Sequence, residues 1–293
     1  MDAKLLTADR FVDTDIGCSC RLVKSETEYF RLHYHDYYEI FFCISGSATH
    51  VINGTTQRLY PGTLGLIRPS DRHNYDPAGS PFSMYNLTFT RQTLREILAF
   101  LGDGFPADRL LDAELPPTLV LTGHSAREVQ NRIERLYTVP AGARLELKWH
   151  LRVLILYLLC EYFSDYHPAK SRAPAWLESA MEAMRDPRCF TEGASKLLEL
   201  SGRSREHVSR CLKKYYGLSV SDFINGLRLE YMANLLLNSN QPVIDICFAC
   251  GFQNLSWAYS LFKKQYGVTP AEFRHAPVAP AHQPDADKPD AQH

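Results

Sequence analysis

The chain has 293 residues and a mass of 33.4 kDa, room for two or three domains at roughly 100–200 residues each. It is 45% hydrophobic and 22% charged, with a formal net charge of −1 and a pI near 6.8. That balance excludes a globally basic nucleic-acid coat and a highly acidic disordered chain, so any nucleic-acid surface is a local patch.

The N-terminus, Met1-Asp2-Ala3-Lys4-Leu5-Leu6, mixes charge with short apolar stretches and does not read as a secretory signal. The longest apolar run, Val153–Cys160, is eight residues, whereas a bilayer span needs about 20. The eight cysteines follow no framework spacing, so reduced thiols are expected. Together these features predict a cytoplasmic chain without a membrane partner.

Residues 20–90 are short aromatic and β-branched runs: Ile40–Ser45, Thr49–Ile52, Gln57–Tyr60, Leu64–Ile67 and Met84–Phe89. Gly46, Asn53-Gly54, Pro61-Gly62, Pro69 and Pro77-Ala78-Gly79 punctuate them. Asn53-Gly54 between two runs predicts a tight hairpin. Strands recurring about every ten residues predict a sandwich or barrel. His33, His35 and Glu39 are odd-numbered positions on one expected strand and so share a face. Two imidazoles and a carboxylate suit Zn, Ni, Mn or Fe, and His73 is a candidate fourth ligand. Tyr37 and Phe41, on the same face, would line the interior beside the histidines and contact a small effector; Tyr29, Phe30, Tyr34, Tyr38 and Phe42 add to the aromatic supply. Three readings of the cluster stand: a divalent transition metal site, a metal-free ligand pocket, or satisfied core histidines. The pattern His33-x-His35-x-x-x-Glu39, then Gly46, Pro61-Gly62 and His73, resembles the two cupin motifs. That resemblance implies a jelly-roll β-barrel.

From about Thr122 the period becomes helical, with Arg127–Tyr137 and Arg144–Phe163 divided by Pro140-Ala141-Gly142. The second helix is apolar on most sides, which predicts burial in its own domain or against a second subunit. His167–Pro174 has linker composition, and the Pro- and Asp-rich tail Ala276–His293 is expected to be disordered. Cys247-x-x-Cys250 lies on an expected helix face with no second pair at zinc-finger spacing, so it reads as core; a role for Cys18-x-Cys20 is disfavoured.

A repeat at an offset of fifty dominates the C-terminal third. Lys213-Lys214-Tyr215-Tyr216-Gly217 falls on Lys263-Lys264-Gln265-Tyr266-Gly267, Leu212 on Phe262, and Ser219-Val220-Ser221-Asp222 on Thr269-Pro270-Ala271-Glu272. The last pair are helix starts, a hydroxyl followed three residues on by a carboxylate; Gly217 and Gly267 are helix ends. Two copies of one helical unit follow, each with a helix–turn–helix pattern. In the first, Glu192–Leu200 precedes a helix capped by Ser204; in the second, Pro242–Cys250 precedes one capped by Asn254. Val208 and Leu212, and Leu255, Ala258 and Phe262, would face inward. The outer residues are Ser204, Arg205, Glu206, His207, Ser209, Arg210 and Lys213 in the first copy, and Gln253, Asn254, Ser256, Trp257, Tyr259, Ser260 and Lys263 in the second. These are the candidate DNA-binding residues. Residues 174–275 hold 12 Lys/Arg and 10 Asp/Glu, but Arg203–Lys214 holds five basic residues against one acidic, enough for a few phosphate contacts.

Ile244-x-Ile246-Cys247-x-x-Cys250-Gly251-Phe252, followed by Phe262-Lys263-Lys264-x-x-Gly267-x-Thr269-Pro270-x-x-Phe273-Arg274, closely resembles the signature of AraC/XylS-type transcription regulators. Arg228-Leu229-x-x-x-x-Ala233-x-x-Leu236-Leu237 resembles their connecting helix. Ala258 and Ser260 depart from the family's usual Phe and frequent Arg, which shifts the expected DNA contact toward the first unit. The resemblance implies double-stranded DNA and a small-molecule effector as partners, RNA polymerase if the protein activates, and a homodimer. His33–Glu39, Ile52-Asn53-Gly54 and Ala175-Trp176-Leu177-Glu178 look like regulators of chitobiose-utilisation operons, which implies a sugar or amino-sugar effector.

The resulting expectation is an α+β chain. Residues 1–117 form a cupin-like barrel sensor, 118–173 a helical linker and dimerisation segment, 174–275 an all-α double helix–turn–helix domain, and 276–293 a disordered tail. The chain is read as a regulator of a carbohydrate operon, not an enzyme. A metal-dependent cupin enzyme, a dioxygenase or isomerase with a helical partner-binding domain, is the alternative; a non-switching architectural DNA binder leaves the barrel without a role.

Overall fold

The computed structural model describes residues 3–25, 31–77, 81–140, 142–167 and 173–275. The expected tail, most of the expected linker, and Tyr29 and Phe30 lie outside these residues. Ten strands form two five-stranded sheets. The strands are β1 (Lys4–Leu6), β2 (Cys18–Lys24), β3 (His33–His35), β4 (Tyr38–Ser45), β5 (Ala48–Ile52), β6 (Thr55–Leu59), β7 (Thr63–Ile67), β8 (His73–Asp76), β9 (Ser83–Phe89) and β10 (Thr118–Val120). The first sheet runs β1-β3-β8-β5-β6 and the second β10-β7-β4-β9-β2. The β5–β6 hairpin turns at Asn53-Gly54, both with positive φ (49° and 79°), the backbone that this dipeptide favours.

The expected jelly-roll architecture takes the form of two sheets, which no strand pairing joins among the described residues. The reason lies in the chain between His35 and Tyr38. The expected continuous strand breaks there, sending β3 to the first sheet and β4 to the second. Phe41, Cys43, Ile52, Leu59, Ile67, Phe82 and Met84 fill the space between the sheets. Gly65, the cross-strand partner of Phe41 in the second sheet, leaves room for the Phe41 ring, because an added Cβ would stand 2.3 Å from it.

The outer face of the second sheet carries helices. We number the helices α1 (Ala8–Phe11), α2 (Arg91–Leu101), α3 (Ala107–Leu111), α4 (Gly123–Leu136) and α5 (Arg144–Leu158, continued by a π turn over Leu159–Phe163). Ile40, Phe42, Leu64, Leu66 and Leu87 of the sheet pack with Leu94, Val129, Ile133, Leu151, Ile155 and Leu158 of α2, α4 and α5. Residues 118–120 pair with β7, and α4 and α5 share this core. This core therefore draws on residues from both sides of position 117. The opposite face of α5 stays bare: Leu145, Trp149 and Val153, spaced i, i+4, i+8, are each 59% exposed.

The C-terminal helices are α6 (Ala175–Ala183), α7 (Pro187–Phe190), α8 (Ala194–Ser201), α9 (Arg205–Tyr216), α10 (Val220–Asn238), α11 (Val243–Ala249), α12 (Leu255–Tyr266) and α13 (Pro270–His275). Two cores divide them. One gathers Leu177, Met184, Phe190, Leu197, Val208, Leu212 and Phe223; the other Leu229, Met232, Leu236, Ile246, Cys247, Cys250, Ala258 and Phe262. The α10 helix runs through both. At its start, Ser219 and Asp222 form a reciprocal capping box. Gly217 and Gly267 end α9 and α12 with φ of 70° and 78°, left-handed values suited to glycine.

Candidate functional site

Two helix–turn–helix units present the candidate DNA surface. In the first, α8 packs under α9, and Ser204 accepts a hydrogen bond from the His207 backbone. In the second, α11 packs under α12, and Asn254 accepts from the Trp257 backbone. Each cap satisfies a helix-end donor that would otherwise be orphaned. Val208, Leu212, Ala258 and Phe262 are fully buried, which turns the remaining faces outward. Ser204, Arg205, Glu206, Arg210 and Lys213 are exposed, and His207 and Ser209 half-buried. In the second unit Gln253, Asn254, Ser256, Trp257, Ser260 and Lys263 are exposed, and Tyr259 is half-buried. Lys213 donates to the Gly217 carbonyl, complementing the negative end of α9. Helix α10, with 19 residues, spans about 28 Å at 1.5 Å per residue, on the scale of the roughly 34 Å between successive turns of a major groove. Cys247 and Cys250 are buried and unpaired; burial raises both thiols, Cys250 to about 12, as expected for core residues.

The second candidate site lies in the sensor. His35, Glu39 and His73 are buried, and one ligand atom from each lies within 4.8 Å of the others. Strand pairing assembles them across the two sheets. Register opposite His33 places His73, while Glu39 projects from the second sheet. His35 Nδ1 donates to the Tyr37 carbonyl at 2.7 Å, and its Nε2 stands 3.7 Å from Glu39 Oε2. The Tyr75 hydroxyl donates to Glu39 Oε1 at 3.1 Å. Neither His35 Nε2 nor His73 Nε2 has a hydrogen-bond partner among the described residues. Buried polar atoms of this kind call for a partner, whether water, an ion or a ligand. Burial lowers the His35 and His73 pKa values, the latter strongly, and burial foremost lowers His50 to about 3; neutral imidazoles are the form that binds metal.

His33 turns its Nδ1 to the Arg31 carbonyl and stands beside His73, ring centroids 4.2 Å apart, outside the three-residue group. The sequence motif also omitted His50, Gln57 and Tyr75. The Gln57 amide nitrogen lies 2.9 Å from His50 Nδ1, and His50 Nε2 lies 3.5 Å from His73 Nδ1. The His50 ring stacks on Tyr75 at 4.6 Å. Period-two alternation on β5 and β8 was a signal for their facing, but their pairing, His50 opposite Tyr75, is nonlocal. Tyr37 and Phe41 are fully buried; Tyr37 stacks on His35 at 4.3 Å and Phe41 meets His50 and Tyr75 edge-on.

Sensor and reader touch. Tyr60 meets Tyr216 edge-to-face with ring centroids 5.7 Å apart. Arg58 on β6 donates to Glu230 on α10 at 2.9 Å, and Ser47 donates to the same carboxylate oxygen. Among the described residues no helix is long and apolar enough to cross a membrane.

Two family models match this chain: an AraC-like ligand binding domain over residues 16–151 and a helix-turn-helix domain over 197–276. Curated relatives include the HTH-type transcriptional activator RhaS of Escherichia fergusonii, 28% identical over 252 residues, covering 83% of this chain and 86% of that protein. The same activator of Citrobacter koseri is 26% identical over 251 residues, with the same coverage of both chains. Among solved structures, ToxT from Vibrio cholerae aligns over 88% of this chain and 97% of its own, at 12% identity and a TM-score of 0.34. The relatives' names describe transcriptional activators, and neither they nor the helix-turn-helix match supports the alternative enzymatic reading.

Proposed function

We propose that this chain, matched by an AraC-like ligand binding domain over residues 16–151 and a helix-turn-helix domain over 197–276, is an AraC-type transcription regulator and, more finely, a sugar-responsive activator of a carbohydrate operon. The duplicated, capped units with opposed apolar and exposed faces carry the reading. Arg205, Arg210 and Lys213 would dominate contact with one major groove, and Gln253, Ser256, Trp257, Tyr259, Ser260 and Lys263 would enter the next. Ser204, Glu206, His207, Ser209 and Asn254 border these contacts; Ser204 and Asn254 serve them chiefly by holding the helix starts. RhaS relatives are named as activators, which supports activation and hence an encounter with RNA polymerase. The narrower likeness to chitobiose-operon regulators favours an amino-sugar effector. Fluorescence anisotropy against native promoter fragments and random DNA, with and without candidate sugars, tests the reading. Equal affinity for all of them would refute it.

Two subunits would pair through the bare stripe Leu145, Trp149 and Val153, since an apolar helix face left in water favours burial. Sedimentation of Trp149→Glu should show monomer where the parent shows dimer.

The orphaned His35 and His73 nitrogens beside Glu39 fit a divalent transition ion such as Zn, Ni, Mn or Fe, with His33 as an outer neighbour. Metal uptake at His73 Nε2 requires its proton on Nδ1. His50 must then accept at Nε2, and Gln57 must turn its amide oxygen toward His50 Nδ1, the flip of the orientation described above. Tyr37 and Phe41 would act as the rigid wall of this cluster. Elemental analysis of purified protein tests the assignment; a clear substoichiometric absence of every transition metal would remove it.

A further inference from the structure

We infer that Arg228 is a positioning residue that locks the two helix–turn–helix units in one rotational setting, by clamping the turn of the second unit to the segment that leads into the first. The inference rests on the DNA-reading function above and adds to it a residue that touches no base.

Arg228 lies on α10 at the border of the two reader cores, between Ile224 of one and Leu229 of the other. Its Nε donates to the Phe190 carbonyl at 3.2 Å and its Nη2 to the Thr191 carbonyl at 3.0 Å. Both acceptors stand just ahead of α8, the opening helix of the first unit. The same guanidinium lies over the ring of Phe252, 5.7 Å from its centroid, in the turn between α11 and α12. Its donors end on the main chain of one unit while its face covers an aromatic of the other, so it joins the two.

The backbone completes the contact. Gly251 opens the second turn with φ of 84°, and a Cβ added there would stand 3.0 Å from Thr191 Cα and 3.2 Å from Arg228 Nε. Gly202 opens the first turn, also left-handed at 59°, yet a Cβ added there would meet nothing within 4 Å. The two turns share a conformation, but at this glycine the second is pressed against the other unit and the first is open. The arginine has no copy either: fifty residues after it stands Val278.

A single rod sets the separation of two bodies mounted on it. Their rotation about the rod is held by packing along its surface and, with more leverage, by contacts away from its axis. The contact of Thr191 with Gly251 and Arg228 is of the second kind. Rotation matters because one base pair shifts a half-element by about 3.4 Å and about 35° around the duplex, more than a hydrogen bond to a base edge tolerates. A rigid mounting presents the second unit already oriented once the first is bound. A loose one accepts the wrong spacing and binds the right one less tightly.

Anisotropy titrations of the full chain test this on three kinds of DNA: the promoter duplex footprinted with the parent protein, the same duplex lengthened or shortened by one base pair between its halves, and each half alone. The parent should lose about tenfold or more in affinity on either altered duplex. Arg228→Ala should bind the unaltered duplex about tenfold more weakly than the parent and lose less than about threefold on the altered ones. It should keep the parent's affinity for each half and the parent's salt slope. Arg228→Lys, which keeps the charge without the fork of donors, should fall between. Where Arg228→Ala does not fold, Gly251→Ala opens the clamp from the other side, with Gly202→Ala as its control. The spacing profile should flatten in the first and stay sharp in the second. Residual dipolar couplings of α9 and α12 give a readout without DNA: those of the parent should fit one alignment tensor, and those of Arg228→Ala should need two. A spacing profile as sharp as the parent's in Arg228→Ala would overturn the inference. Weaker binding of the isolated halves or a shallower salt slope would do the same, because Arg228 would then support a single unit or touch DNA itself. Equal profiles in the two glycine variants, or one tensor for Arg228→Ala, also overturn it. If the parent prefers no promoter, the regulator reading fails instead, and the dipolar couplings still decide whether Arg228 holds the units together.

Discussion

The two helix–turn–helix units share a backbone plan yet differ in surface and in attachment. The first shows a basic outer face, Arg205, Arg210 and Lys213, and touches the sensor through Tyr216 and through Gly217, where an added Cβ would meet Val120 at 3.0 Å. The second shows an exposed aromatic, Trp257, among small polar groups, and carries Ser260 where the first copy has Arg210. Duplication has thus kept the internal logic of caps, apolar faces and terminating glycines while leaving the outer face free to change. Basic side chains concentrate in the unit that the first domain touches, so under the proposed function a signal from that domain would act where phosphate contact is densest.

That contrast can be broken or sharpened by substitution. The largest expected effects come from the paired core positions. Phe262→Ala should cost about 3–5 kcal/mol and Leu212→Ala about 2–5 kcal/mol; both side chains are fully buried. Chemical denaturation with a probe in each unit will report whether loss in one melts the other across α10. Next come the base-reading candidates. Arg205→Ala and Arg210→Ala should each weaken operator binding by about 1–3 kcal/mol if they read bases, and unchanged affinity with an unchanged salt slope would return both to a solvated helix face. Making the second unit resemble the first is the complementary change: Ser260→Arg should tighten binding and steepen the dependence on salt by about one counterion. Smaller effects fall on the caps, where Ser204→Ala and Asn254→Ala should each lower stability by about 1 kcal/mol. Smallest is a pH effect confined to the first unit. Hydrogen bonds from Arg188, side chain first and then backbone, hold the half-buried Asp186 carboxyl down to about 2 from its ordinary 3.8. Its cap on α7 is therefore fully in place above pH 3.8 and is lost as pH falls through about 2. A carboxyl titration by NMR that centres near 3.8 would dismiss it.

Much of the reader was legible in its sequence because its signals are local. Ser219 to Asp222, Ser204 to His207 and Gly217 after Tyr216 each act within one helical turn, and the offset of fifty doubles every signal. The sensor was legible only where a turn is local, as at Asn53-Gly54. The division of His33–Ser45 between two sheets went unread because the break between His35 and Tyr38 has no strong punctuation. His50, Gln57 and Tyr75 escaped notice for a related reason: their meeting depends on which strands pair, and a motif written along the chain does not encode the partner strand. Likewise, β10 carries no mark that would assign it to the sheet instead of the helices. Arg58 and Glu230 lie far apart in sequence, on elements that read as unrelated, and only packing of the two domains joins them.

The 19-residue helix that joins the readers also acts as a fixed ruler. If both units read one duplex as proposed, this helix would fix the separation and rotational phase of the two half-elements that one chain recognises. Inserting about five base pairs, half a turn of the duplex, between those halves would swing the second to the far side of the DNA and defeat binding, whereas a whole-turn insertion would restore the phase but overrun the ruler's length.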